Sequence, residues 1–185
     1  NTEYLDEPLG APWASALGAH AVPGHHVFLG GDLGALLSAA AGRAWVQDPA
    51  SARAVRAITP GGPGVIVDLC AGRGTKTRQL AARFPEAAIH AGDVDPGRAA
   101  ELGRVFAGHP RVRVAPLEDI ERALAGRADL VLLDVPCSNT GVLARRIEAK
   151  YRPFGPQLER LGRIRREIIG RGAALLAPGG VLVYS

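Results

Sequence analysis

Five short apolar runs, spaced by segments of helical character, constrain this chain more than any other feature. They are Val65-Ile66-Val67-Asp68-Leu69, Ala87 to Ala91, Val112-Arg113-Val114, Leu130-Val131-Leu132-Leu133 and Val181-Leu182-Val183-Tyr184. Runs of this length, rich in Val, Ile and Leu, read as strands buried on both faces. Helices are expected between them over Thr75 to Phe84, Pro96 to Phe106, Ile120 to Leu124 and Pro156 to Leu176. The last and longest has an apolar stripe of Leu158, Leu161, Ile164, Ile168, Leu175 and Leu176 near helical period. Ala177-Pro178-Gly179-Gly180 is expected to stop it as a loop. Strands alternating with helices specify an α/β fold, with a parallel sheet covered on both faces. Ligands in such sheets sit at the carboxyl ends of the strands, near the switch in strand order.

Residues 1 to about 60 are less regular, with prolines at 8, 12, 23, 49 and 60. Val27-Phe28-Leu29 reads as a short strand ended by Gly30-Gly31, and Leu33 to Ala41 as a helix. Asp48 is placed to cap a helix running through Ile58, with Pro49 at its first position. Gly61-Gly62-Pro63-Gly64 then separates an N-terminal segment, 1–60, from a main domain, 61–185. A chain of 185 residues suits one sizeable core. It has no apolar run of the roughly 20 residues that span a bilayer. Its first residues lack a signal-peptide layout. Two cysteines cannot build a disulfide framework, which predicts a cytoplasmic chain. The absence of methionine predicts an internal segment of a longer protein.

Charge is unevenly placed. The net charge is +4, yet the segment from Gly141 to Arg171 holds nine basic and three acidic residues. That segment is +6 and the remainder −2. A local basic surface beside a near-neutral remainder is the footprint of a polyanion binder, or else a solvated helix face.

The first strand of the main domain runs into Asp68-Leu69-Cys70-Ala71-Gly72-Arg73-Gly74-Thr75-Lys76-Thr77. Gly72 and Gly74 let the backbone turn tightly and approach a ligand at the following helix. A P-loop needs glycine directly before Lys-Thr, but Thr75 stands there, which argues against nucleotide hydrolysis. A dinucleotide loop needs a small third residue where Thr77 stands. A loop for S-adenosylmethionine tolerates this spacing, because no pyrophosphate has to be cradled. The second strand leads to Asp93, whose carboxylate is placed to accept both hydroxyls of an adenosine ribose; the alternative is a helix cap, for which Asp95 is equally suited. The fourth strand delivers Asp134-Val135-Pro136-Cys137-Ser138-Asn139-Thr140-Gly141. If the first and fourth strands are neighbours, Cys70 and Cys137 share one rim. Cys70 reads as a small core residue, and Cys137, in a polar loop, as the reactive thiol.

These residues resemble the Sun (Fmu) family of S-adenosylmethionine-dependent RNA cytosine-5 methyltransferases over roughly residues 42 to 185. Val46-Gln47-Asp48-Pro49-Ala50-Ser51 is similar to the segment ahead of the family's catalytic sheet. Asp68-Leu69-Cys70-Ala71 opens the cofactor loop and Lys76-Thr77 closes it. Asp134 to Gly141, continuing through Arg145-Arg146 and Lys150-Tyr151-Arg152, resembles the family's most specific signature. Pro178-Gly179-Gly180 to Ser185 resembles the approach to its last catalytic motif. The chain departs from the pattern at Gly72-Arg73-Gly74-Thr75, where the family usually has Ala-Pro-Gly-Gly, and at Ile147, where proline is common.

The resemblance implies a Rossmann-like methyltransferase sheet, truncated after its fifth strand, with residues 1–60 as the end of an accessory RNA-binding region. It implies S-adenosylmethionine as cofactor, held by Asp68, Cys70, Ala71, Gly72, Gly74, Lys76, Asp93 and Asp134. Glu118 or Asp119, at the end of the third strand, would meet the adenine amino group. It implies chemistry through a cysteine–cytosine adduct. The family's nucleophile follows a strand like Val181 to Ser185, two residues beyond Ser185. Cys137 would help resolve the adduct, Asp134 would hydrogen-bond the cytosine edge, and Lys76 would hold the cytosine or the cofactor's methionine end. Arg145, Arg146, Lys150 and Arg152 are expected along the RNA path. The substrate expected is RNA, ribosomal rather than transfer RNA, acted on by a monomer with no membrane partner. Two other readings remain: Cys137 as the nucleophile, as in DNA cytosine-5 methyltransferases, and a catalytically incomplete RNA-binding segment.

Overall fold

The structure is a computed structural model that describes residues 13–40, 44–59, 61–137 and 155–185. Arg145, Arg146, Ile147, Lys150 and Arg152 lie outside the described residues. After a 3-10 turn at Trp13–Ala16, β1 (Leu17–Ala19) and β2 (His26–Phe28) pair as an antiparallel hairpin, followed by α1 (Leu33–Ala39). The sequence shows only the second of these strands, because Leu17-Gly18-Ala19 has little β-branched character of its own.

α2 (Pro49–Arg56) starts where its cap requires, with the Asp48 side chain accepting from the Ala50 amide. Next come β3 (Val65–Asp68), α3 (Thr75–Arg83), β4 (Ala88–Ala91), α4 (Pro96–Val105), β5 (Val112–Val114), α5 (Leu117–Leu124), β6 (Ala128–Leu133), α6 (Gly155–Leu175) and β7 (Leu176–Tyr184). Strands β3 to β7 form one parallel sheet in the order β5-β4-β3-β6-β7. The order reverses between β3 and β6, and that switch point leaves a crevice at their carboxyl ends.

Alternation along the strands splits the core into two layers. Ile66, Ile89, Val112, Leu130 and Leu132 pack with Val55, Leu80, Phe84, Leu102 and Phe106 beneath α2, α3 and α4. Val67, Leu69, Val131 and Leu133 pack with Leu117, Ile120 and Leu175 beneath α5 and α6. The sheet is therefore buried on both faces, as its apolar runs require.

Two expectations change. The helix expected from Ile120 begins at Leu117, directly after Pro116, because Leu117 and Ile120 both reach the core. Glu118 and Asp119 consequently lie in its first turn rather than at a strand end. Ala177-Pro178-Gly179-Gly180, expected as a loop, lies inside β7 as a bulged stretch. Ala128 pairs with Leu176, but Leu130 pairs with Val181. Gly179 has φ +81°, and a Cβ on Gly180 would stand 2.7 Å from the Ala128 carbonyl oxygen. The close approach to β6 that ends the bulge thus requires glycine.

Polar anchors invisible to periodicity fix the layers. Asp129 accepts from the Gly64 and Val65 amides, both at 2.9 Å, pinning the starts of β3 and β6 together. Arg83 donates to the carbonyls of Val55, Arg56 and Ile58, satisfying the end of α2. Trp45 donates to Gln47, Gln47 to Gln79, and buried Gln79 to the Ala52 carbonyl. This chain ties the segment ahead of the sheet to α3.

Candidate active site

β3 ends in a turn that only glycine follows comfortably. Gly72 has φ +57° and Gly74 φ +85°, both left-handed. A Cβ on Gly72 would meet nothing within 4 Å, so the loop faces open space there. A Cβ on Gly74 would instead stand 2.5 Å from Phe106 Cε2 and 2.8 Å from Leu102 Cδ1. The loop is tied to its neighbour by Ala71 N–H donating to the Gly92 carbonyl and Gly92 N–H to the Asp68 carbonyl, each at 3.0 Å.

Asp93 follows β4 and serves the loop rather than the helix. One carboxylate oxygen accepts from Gly72 N and the other from Asp95 N, both at 2.9 Å. Asp95 is the cap of α4, accepting from Arg98 N. The two aspartates that the sequence leaves interchangeable are separated by structure: one caps, and the other turns toward the crevice.

Asp134, at the end of β6, accepts from Lys76 Nζ at 2.6 Å. The Lys76 side chain is 9% exposed and that of Asp134 40%. Lys76 is thus a nearly buried ammonium whose charge is met by a carboxylate open to ligand. Asp68, fully buried, accepts from Thr77 Oγ1 at 2.7 Å, while its Oδ1 has no partner among the described residues. Burial pushes its pKa up to about 7, against the lowering effect of the Thr77 bond; the nearby Asp134 charge adds to the rise and Lys76 opposes it. Burial, with the charge of Asp68, also pushes the Cys70 thiol up to about 12. Cys70 is therefore an unreactive lining residue at neutral pH. Cys137 is exposed, just past the end of β6. Val135 N donates to the Ser185 carbonyl and Ser185 N to the Leu133 carbonyl, so the end of β7 lies on the same rim.

The elevated Asp68 pKa predicts a pH-dependent stability. The group is neutral in both states at low pH, and the fold loses stability as pH rises from about 4 through about 7, where only the folded state resists ionisation. Asp68→Asn removes that loss. Its stability relative to the parent should be greater at pH 8 than at pH 4 by roughly 2–4 kcal/mol in urea unfolding. A difference independent of pH would contradict the buried, protonated carboxyl.

The crevice is a cavity of about 410 Å³ lined by Leu69, Cys70, Asp93, Val94, Arg98, Leu117, Asp134, Pro136, Ile164, Glu167, Ile168 and Arg171. Its size lies within the range of small-molecule sites. Asp93, Asp134 and Cys70 line it, and Gly72 is bonded to Asp93 at its edge. Glu118 and Asp119 are exposed and are not among its lining residues, and Asp119 pairs with Arg122 at 3.0 Å. Leu117 lines it instead. The α6 wall of Ile164, Glu167, Ile168 and Arg171 was not legible in the sequence, since nothing local says which face of α6 meets the crevice. Arg171 is held there by Glu121 at 2.5 Å. Arg165 Nε donates to the Pro136 carbonyl at 3.0 Å, fastening α6 to the turn between Asp134 and Cys137.

This arrangement fits an adenosine-bearing cofactor. Open space beside Gly72, an acid at Asp93 and apolar walls at Leu69, Val94, Leu117, Ile164 and Ile168 suit a ribose and a purine ring.

Comparison with known proteins agrees. Residues 55–185 match the family described as 16S rRNA methyltransferase RsmB/F. The ribosomal RNA small subunit methyltransferase B of Vibrio cholerae serotype O1 is 34% identical over 152 residues, covering 76% of this chain and 33% of that protein. The crystal structure of PH0851 superposes with TM-score 0.77 at 27% identity, covering 91% of this chain and 40% of that one. The crystal structure of NSun6 from Pyrococcus horikoshii with SFG superposes with TM-score 0.57 at 27% identity, covering 72% of this chain and 34% of that one. The chain thus spans about a third of the length of the curated relatives it matches.

Proposed function

The chain belongs to the 16S rRNA methyltransferase RsmB/F family, and we propose that it carries the reaction core of an RNA cytosine-5 methyltransferase dependent on S-adenosylmethionine. The observation that carries this reading is the Lys76–Asp134 pair, whose carboxylate lines the same cavity as the loop-bound Asp93. A simple RNA-binding module needs neither. The relative solved with SFG, an analogue of S-adenosylmethionine, supports the cofactor.

S-adenosylmethionine, when bound, supplies a methyl group on a positively charged sulfur. In this reading Asp93, oriented by two backbone amides, accepts from the ribose hydroxyls. Leu117, Val94 and the α6 isoleucines exclude water from the adenine. Asp134 accepts from the amino group of cytosine and, when it carries a proton, donates it to the ring nitrogen, where negative charge gathers as a thiolate adds to carbon 6. Lys76 fixes the carboxylate that does this. Cys137, exposed on the same rim, is the group that takes or returns a proton as the adduct is resolved. The target base has to be unstacked, which is cheapest in single-stranded or looped RNA. Residues 1–60 are the end of an accessory RNA-binding region in this reading, and 61–185 the methyltransferase domain. The substrate is ribosomal RNA, the enzyme a monomer, and a ribosomal substrate fits a cytoplasmic one.

Titration of S-adenosylhomocysteine into the chain tests the cofactor assignment without requiring turnover. Binding at one site is expected, weakened roughly 100-fold in Asp93→Ala, through loss of two hydrogen bonds to a charged group. Equal affinity in parent and variant would remove Asp93 from the site.

A further inference from the structure

A second concavity, unused by this mechanism, lies between the Trp45-Val46 segment and the start of α3. It encloses about 210 Å³, and its lining includes Leu37, Trp45, Val46, Arg73, Thr75 and Arg78. Two arginines line it, and no carboxylate is among its lining residues. Arg73 is largely exposed and meets Glu101 at 3.0 Å. Arg78 is half-buried, and among the described residues no carboxylate pairs with it. Burial accordingly lowers its pKa. A guanidinium partly withdrawn from water without a counter-ion is costly, and an arriving anion relieves that cost. Beside it, Val46 offers an apolar edge that is 65% exposed.

The position matters as much as the charge. Thr75 and Arg78 stand three residues apart on one face of α3, while Lys76, one residue past Thr75, reaches Asp134. A helix with its side chains is about 10–12 Å across. The groove and the reaction edge are therefore two sides of one helical turn, close enough for a single strand to touch both.

We propose that this groove receives the phosphodiester backbone of the RNA substrate, next to the nucleotide presented to Asp134. Arg78 makes the phosphate contact, and Val46 and Leu37 seat the adjoining ribose or base. The inference rests on the RNA reading above.

The test is fluorescence anisotropy of a short, cytosine-containing single-stranded RNA with the chain, over a series of salt concentrations. Arg78→Ala should weaken binding about 5- to 10-fold and flatten the slope of log K against log salt by about 0.7, the signature of one lost phosphate contact on a single strand. Arg78→Lys should keep the slope, and S-adenosylhomocysteine affinity should not change in either variant. Arg78→Gln, which preserves most of the side chain's packing, gives the same loss if alanine weakens the fold. Should the parent bind RNA and Arg78→Ala retain the full slope, the groove is not on the RNA path, although the methyltransferase reading stands. No RNA binding by the parent would overturn both. Displacement of RNA by poly-glutamate with the same Arg78 dependence would assign the groove to an acidic polypeptide instead.

Discussion

Asp134→Asn, placed in the full-length protein, should cut methyl transfer to RNA about 1000-fold while S-adenosylhomocysteine binding weakens by less than about tenfold. The reason lies in what the carboxylate does. It stands 2.6 Å from a nearly buried Lys76 ammonium, and it is the more open member of the pair. An amide in its place cannot balance the Lys76 charge. Nor can it pass a proton to the ring nitrogen, where negative charge gathers as the thiolate adds to carbon 6. The loss should therefore fall on the chemical step, and the asymmetry between transfer and binding is the measurement that checks it. Equal losses in both would mean that Asp134 serves mainly to hold the cofactor.

Gly74→Ala should lower folding stability by about 3 kcal/mol, whereas Gly72→Ala should cost only about 1. Both glycines have positive φ, so both substitutions incur left-handed strain. Only at Gly74 does the added methyl also run into Phe106 and Leu102, at 2.5 and 2.8 Å. Leu102 is fully buried and Phe106 nearly so, and neither can move without opening the layer beneath α4. Urea unfolding of the two variants at one pH separates strain from crowding. A loss at Gly74 no larger than at Gly72 would mean that α4 yields to the methyl group.

The central sheet was legible in the sequence because its strands are buried on both faces, and such strands read as unbroken apolar runs. Asp48 was legible as a cap because a cap is a local device, needing only the residues that follow it, whereas Asp95 was legible only as one of two candidates with Asp93. Where expectation and structure part, the cause is non-local. α5 starts early because Leu117 is drawn into a core whose other half lies on β6 and α6. The bulge in β7 depends on the Ala128 carbonyl, far away in sequence. Arg83, which no local sequence signal singles out, closes the end of α2 from another helix. The site shows the same division. The glycine loop, Asp93 and Asp134 sit at strand ends, which the strand pattern locates. The α6 wall of the cavity depends on how a helix rotates against the sheet, and Glu118 and Asp119 look suitable only until the helix start is known.

The proposed reaction is methyl transfer to carbon 5 of cytosine in ribosomal RNA. The most direct measurement incubates the full-length protein with unmodified small-subunit ribosomal RNA and methyl-labelled S-adenosylmethionine, then digests the RNA to nucleosides. Label is expected in 5-methylcytidine and nowhere else. Label in another nucleoside, or none while S-adenosylhomocysteine still binds, would contradict that reaction.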